Sequence, residues 1–196
     1  MSFDETIIHG ASPTLCGIKP ASLFSMNREK YDNGSEEFKK WRPVFSSESK
    51  YFVLLKKDDG RILFFVYNEV LLKRICLKKE NSEYLKAKGY PVEKGFNSIL
   101  AELFKKLYSE QDFPHEVGLF LGYPLEDVIG FEAYGASNFK YSGLWKVYGN
   151  KENAIASMNE YKNCTKQCIN FLYEGLSVPM VTGKYKKNSL IPGGYL

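Results

Sequence analysis

Apolar positions along the chain recur at different spacings from segment to segment, and those spacings predict the elements. Phe96, Ile99, Leu100, Leu103, Phe104, Leu107 and Tyr108 follow i, i+3, i+4, i+7, while Asn97, Glu102, Lys105 and Lys106 fall opposite. That is the signature of an amphipathic helix. Met158, Tyr161, Cys164, Cys168, Phe171 and Leu172 form a second stripe, on a long last helix that Asn150 caps and that runs to about Glu174. Between Tyr51 and Tyr67 the pattern changes to two short runs of aliphatic and aromatic residues around Lys56 to Arg61. Asp59-Gly60 supplies the positive φ angles of a tight turn, so these runs predict a β-hairpin. They are almost continuously apolar, which predicts at least partial cover on both faces.

The remaining elements follow from punctuation. Residues from Ile7 onward read as a short helix or turn leading to a strand near Ser22 to Met26, and polar Asn27 to Ser35 as a loop. Ser35 then caps a helix carrying Phe38 and Trp41, which Pro43 should end. Asn68 caps a basic helix to about Lys79, and a further helix from Asn81 or Ser82 stops at Gly89, before Pro91. Glu116 to Leu121 reads as a buried strand, Pro124 opens a helix with Glu126 and Asp127 in its first turn, and Gly143 to Tyr148 reads as a strand. The tally predicts an α+β fold or a three-layer α/β sandwich, with a mixed sheet of about five strands including the hairpin, covered by five or six helices. Residues 1–175 are expected to form a single α+β domain, and residues 176–196 a C-terminal tail, disordered from Lys184.

Composition narrows the class of protein. The chain has 196 residues, 44% of them hydrophobic and 26% charged, with 14 Phe, 14 Tyr and 2 Trp, which suits one folded domain rather than a disordered chain. With 27 Lys+Arg against 23 Asp+Glu the net charge is +4, far from a dedicated nucleic-acid binder. The basic run of Lys73, Arg74, Lys78, Lys79, Lys86, Lys88 and Lys94 is diluted by Glu80, Glu83 and Glu93, so nucleic acid is not expected as a partner. No apolar run approaches the length of a membrane span, and the first ten residues lack the pattern of a secretory signal, so no membrane partner and a cytoplasmic location are expected. Four cysteines, none in CxxC, are then expected as free thiols.

Candidate chemistry is sparse. His115-Glu116, at a predicted strand start, suits a general base or metal ligand, but Leu119 stands where a zincin motif needs its second histidine. The structural alternative is a turn with Glu116 paired to a lysine. His9 and Cys16 would make a thiol-imidazole pair if the first segment folded back, and Cys16 would otherwise be a small buried residue. Cys164 and Cys168, four apart on a helix, share a face as two metal ligands would, yet they also fall in the apolar stripe, which favours core packing. No phosphate-binding glycine motif is present, no metal ligand set is assigned and the cofactor is left open.

The block FPHEVGLFLGYPLEDVIGF from Phe113, with GLWKVYG from Gly143, resembles an uncharacterised bacterial family, a domain of unknown function. The resemblance extends to Pro13-Thr14-Leu15, Gly17-Ile18-Lys19 and Tyr161-Lys162-Asn163-Cys164. It implies a cytosolic bacterial protein with a redox- or iron-linked accessory role, and supplies no established activity, substrate or cofactor. Aligned on Pro13-Thr14-Leu15, the family's N-terminal His and Cys positions fall on Gly10 and Ala11, so Cys16 is this chain's own feature.

The leading expectation is an accessory domain that binds a small molecule or a protein partner. Tyr123, Glu126, Asp127, Trp145 and Tyr148 are its ligand-binding candidates. The alternative is a Cys/His-dependent hydrolase or transferase, with His115, Glu116, Cys16 and His9 as catalytic candidates. A metal or haem site using His9 or His115 with a thiol is a third possibility.

Overall fold

The computed structural model describes residues 1–56, 60–109 and 113–189. The Asp59 half of the expected hairpin turn and the last part of the expected tail, 190–196, lie outside them. Two compact units are present, one made of Met1–Glu69 with Glu160–Leu196 and the other of Val70–Asn159.

In the first unit, α1 (Phe3–Leu15) starts at a reciprocal cap. Ser2 Oγ accepts from the Glu5 N–H, and Glu5 Oε2 accepts from the Ser2 N–H. α1 leads to β1 (Ala21–Asn27), α2 (Arg28–Ser47), β2 (Lys50–Lys56) and β3 (Arg61–Asn68). β3 is central, antiparallel to both neighbours in the order β1-β3-β2, with Phe64 paired to Phe24 and Leu54. This explains its unbroken apolar run, because Phe64, Phe65 and Val66 are fully buried although they alternate between faces. Helices α1 and α2 cover the face bearing Phe52, Phe64 and Phe24. Phe38 of α2 meets Phe52 edge-on at 5.0 Å, and Phe24 stacks on Phe64 at 5.3 Å. A Cβ on Gly10 would stand 2.4 Å from the Phe24 ring, so that ring lies directly on the α1 backbone.

The second unit contains α3 (Glu69–Leu77, entered from the first unit), α4 (Lys79–Ala87), a 3-10 turn at Val92–Lys94 and α5 (Phe96–Tyr108). Then come α6 (Val117–Phe120), α7 (Leu125–Tyr134) and the two-stranded pair β4 (Tyr141–Ser142) and β5 (Lys146–Val147). α8 (Lys151–Tyr173) begins here and its second half belongs to the first unit, as does α9 (Val178–Ser189).

The mixed α+β class holds, but the expected single sheet of about five strands does not: among the described residues the strands form one sheet of three and one of two, and nine α-helices are present where five or six were expected. Four local readings are corrected. The loop expected at Asn27 to Ser35 is the first part of α2, because Asn27 Oδ1 accepts from the Lys30 N–H and caps the helix there. α2 also passes through Pro43, whose missing donor falls opposite the carbonyl of Lys39, a residue exposed to water. Glu116 to Leu121 is not a strand: the Tyr123 N–H returns to the Gly118 carbonyl at 2.9 Å and Gly122 takes φ +83°, closing the single turn α6. The last correction concerns the segment beyond Gly175. It carries α9, whose Val178, Val181, Thr182 and Tyr185 are buried at i, i+3, i+4, i+7.

Candidate functional site

Three cysteines from two helices meet in the core of the first unit. Cys16 is the residue at the C-terminal end of α1, just before Gly17 turns the chain at φ +85°. Cys164 and Cys168 lie one turn apart on α8. Ser12 of α1 donates to Thr165 Oγ1 of α8 at 2.9 Å, a polar tie beside the thiols. Cys16 Sγ and Cys168 Sγ are 3.6 Å apart, and all three sulfurs lie within 4.8 Å of one another. Cys16 is 6% exposed, and Cys164 and Cys168 are at 0%. Their surroundings are those of an apolar core that includes Ile8, Leu15, Val178 and Val181.

One hydroxyl enters this group. The hydroxyl of Tyr185, buried on α9, acts on Cys164. The thiols of Cys16 and Cys168 act on Cys164 as well, and together these contacts outweigh burial and hold its pKa below the ordinary range. Contacts with Cys164 and Cys168 push Cys16 up, with burial adding to them. Cys168 is pulled down by Cys16, but its contact with Cys164 and its burial prevail and raise it. Cys76, alone and buried on α3, is pushed up to about 12 by burial. It is the isolated thiol against which the cluster stands out.

The separations suit a shared ion. Sulfurs held about 2.3 Å from one centre stand about 3.8 Å apart in a tetrahedral shell and about 4.0 Å apart in a planar trigonal one. The observed 3.6 Å and the 4.8 Å limit bracket both values. An iron-sulfur cluster would have to wedge its own sulfides between sulfurs this close. Among the described residues, no histidine or carboxylate joins the group.

The other expected site residues are placed as follows. His9 is exposed on α1, two turns before Cys16 and about 10 Å along the helix axis, so the thiol faces other thiols and not this imidazole. His115, in the second unit, is exposed and sits edge-on to Phe131 at 5.2 Å. Glu116 is buried, accepting from Lys106 Nζ at 2.9 Å and from the Tyr90 hydroxyl at 3.2 Å. This is the lysine pairing that the structural alternative anticipated.

Tyr123, Glu126, Asp127, Trp145 and Tyr148 do come together, as a closed knot. Asp127 accepts from Trp145 Nε1 at 2.8 Å, from the Tyr148 N–H at 2.7 Å and from the Gly149 N–H at 2.8 Å. Glu126 accepts from the Asn150 N–H at 2.9 Å, Tyr123 stacks on Trp145 at 4.7 Å, and the Tyr148 hydroxyl donates to the Gly135 carbonyl. A Cβ on Gly130 would meet Tyr148 at 2.3 Å, and one on Gly149 would meet Glu126 at 1.9 Å. The glycines, carboxylates and aromatics of the conspicuous block therefore fit one another.

The structure thus defines a mixed α+β protein with one closed polar knot and one buried trio of thiols. Its sequence matches, over residues 7–182, the family described as "Protein of unknown function (DUF3793)", and the chain belongs to that family. No curated protein and no solved structure matches it. Among the described residues no helix is long and apolar enough to cross a membrane.

Proposed function

We propose that the chain is a binding protein that captures one thiophilic metal or metalloid ion at Cys16, Cys164 and Cys168. The observation that carries this reading is the convergence of three sulfurs from α1 and α8 within 4.8 Å in a dry core. Thiolates select soft ions, and three sulfurs at bonding separation from one point supply most of a coordination shell before any movement. In this reading the protein works in a reducing compartment, where the thiols stay unpaired, and its role is accessory and metal-linked rather than catalytic. A Cys/His-dependent hydrolase is less well supported, because a nucleophilic thiol needs a base beside it and the partners of Cys16 are two further thiols. The binding role expected of the Asp127 block passes to the thiols, since the block's acceptors and rings are engaged with each other.

The test is native mass spectrometry of the reduced protein with Cd(II) as probe. One cadmium per chain is expected in the wild type and in C76S, with loss of uptake in C16S, C164S and C168S. No uptake, or uptake retained by all three cluster variants, would overturn the reading.

A further inference from the structure

Charge balance in the dry core narrows which ion the three thiols suit. Three fully deprotonated cysteines carry three negative charges. Bound to a monovalent ion they leave two uncompensated charges, and to a divalent ion one. Uncompensated charge away from water is costly unless a cation or a set of strong donors answers it. Among the described residues, the groups that act on the three sulfurs are one another and the Tyr185 hydroxyl, and none of them is a cation. The shell is also short of donors. Structural zinc sites take four ligands from Cys, His, Asp or Glu, and this group holds three, all cysteines.

We propose that the cluster of Cys16, Cys164 and Cys168 is a site for a trivalent metalloid, taken up as its neutral trihydroxide, arsenous acid being the type. This rests on the reading of the cluster as a soft-ion site and names the chemical class of its ligand. One As(OH)3 meets three Cys–SH groups. Three As–O bonds break and three As–S bonds form, and each thiol proton leaves with a hydroxide as water, so three waters are released. No electron changes hands, and both the entering molecule and the bound product are uncharged. A trivalent metalloid is satisfied by three sulfurs in a pyramid, with its lone pair at the apex, so it needs no fourth ligand. The sulfurs already form the triangular base of such a pyramid, with one edge of 3.6 Å and no edge longer than 4.8 Å.

The experiment exposes the reduced full-length protein to arsenite or to Cd(II), in separate samples and then in competition. Uptake is read by native mass spectrometry, and the arsenic shell by X-ray absorption. The expected adduct has one arsenic per chain and three fewer hydrogens, a shell of three As–S and no As–O, and arsenic displacing cadmium. C76S should bind as the wild type does. C16S, C164S and C168S should each lose at least tenfold in arsenite affinity, with circular dichroism confirming that each is folded. If cadmium binds through the three cysteines and arsenite does not, the metalloid assignment falls while the soft-ion site stands. If neither binds, both fall. An arsenic shell with fewer than three sulfurs, or an adduct that depends on Cys76, also overturns the metalloid assignment, and it does so in the wild-type protein without reliance on any variant.

Discussion

Asp127 and Cys164 are both buried, and their surroundings differ in kind. Around Asp127 the two carboxylate oxygens receive an indole N–H and two backbone N–H groups, all at ordinary hydrogen-bond length. Around Cys164 the partners are two thiols and one phenol. The first network is saturated by strong donors and ties α7 to the loop around β5, so its bonds resist replacement. The second is held by weak S–H contacts, which cost little to exchange for bonds to an ion. A buried polar group that is fully satisfied by its own chain marks structure, and a convergence of weakly satisfied ligating atoms marks capacity to bind.

The largest effect is expected of Asp127→Ala. Removing the shared acceptor strands three buried or half-buried donors, and unfolding free energy is expected to fall by about 3 kcal/mol or more, read by urea titration. A loss below about 1 kcal/mol would show that the knot is dispensable. Gly130→Ala should cost about 1 to 3 kcal/mol, because its Cβ would stand 2.3 Å from the Tyr148 ring, with a lowered melting temperature as the readout. Cys168→Ser sharpens the contrast from the other side. It is expected to remove ion uptake for a stability loss of about 1 kcal/mol, since the change is nearly isosteric.

Acid dependence gives a smaller effect. Burial pushes the Glu116 carboxyl up, but its hydrogen bonds with Lys106, with its own backbone and with Tyr90 prevail and hold it below the ordinary 4.5. Its folded-state pKa is therefore depressed. The corresponding stability is fully present above pH 4.5 and is lost as pH falls through the lowered value. Glu116→Gln should flatten the acid limb of the stability profile, and an unchanged slope would show that Lys106 contributes nothing there. His115→Ala should be the mildest change, within about 0.5 kcal/mol, because the ring is exposed and touches Phe131 by an edge.

How much of this could be read in the sequence depended on whether the signal was local. The stripe of α5, the Asn150 cap of α8, where Oδ1 accepts from the Asn153 N–H, and the β2-β3 hairpin all rest on residues a few positions apart, and all were legible. Asn27 was a missed local cap, and Val178, Val181, Thr182 and Tyr185 were a missed stripe with Pro179 in its first turn, overlooked because the segment follows Gly175. Glu116 to Leu121 was misread because a short apolar run does not declare its period. The thiol site was half legible. Cys164 and Cys168 share a helix face by spacing alone, but Cys16 is separated from Cys168 by 152 positions, and only the packing of α1 against α8 joins them. Conversely, the blocks from His115 to Phe131 and from Gly143 to Gly149 are distinctive in sequence because a dense knot needs particular glycines, carboxylates and rings at fixed places.

Cys16, Cys164 and Cys168 are proposed to form one site. Cadmium-edge X-ray absorption on the reduced protein loaded with one equivalent of Cd(II) tests it most directly. A single cadmium environment with three sulfurs in its first shell is the predicted result. A shell made of oxygen and nitrogen, or one with a single sulfur, would contradict the account.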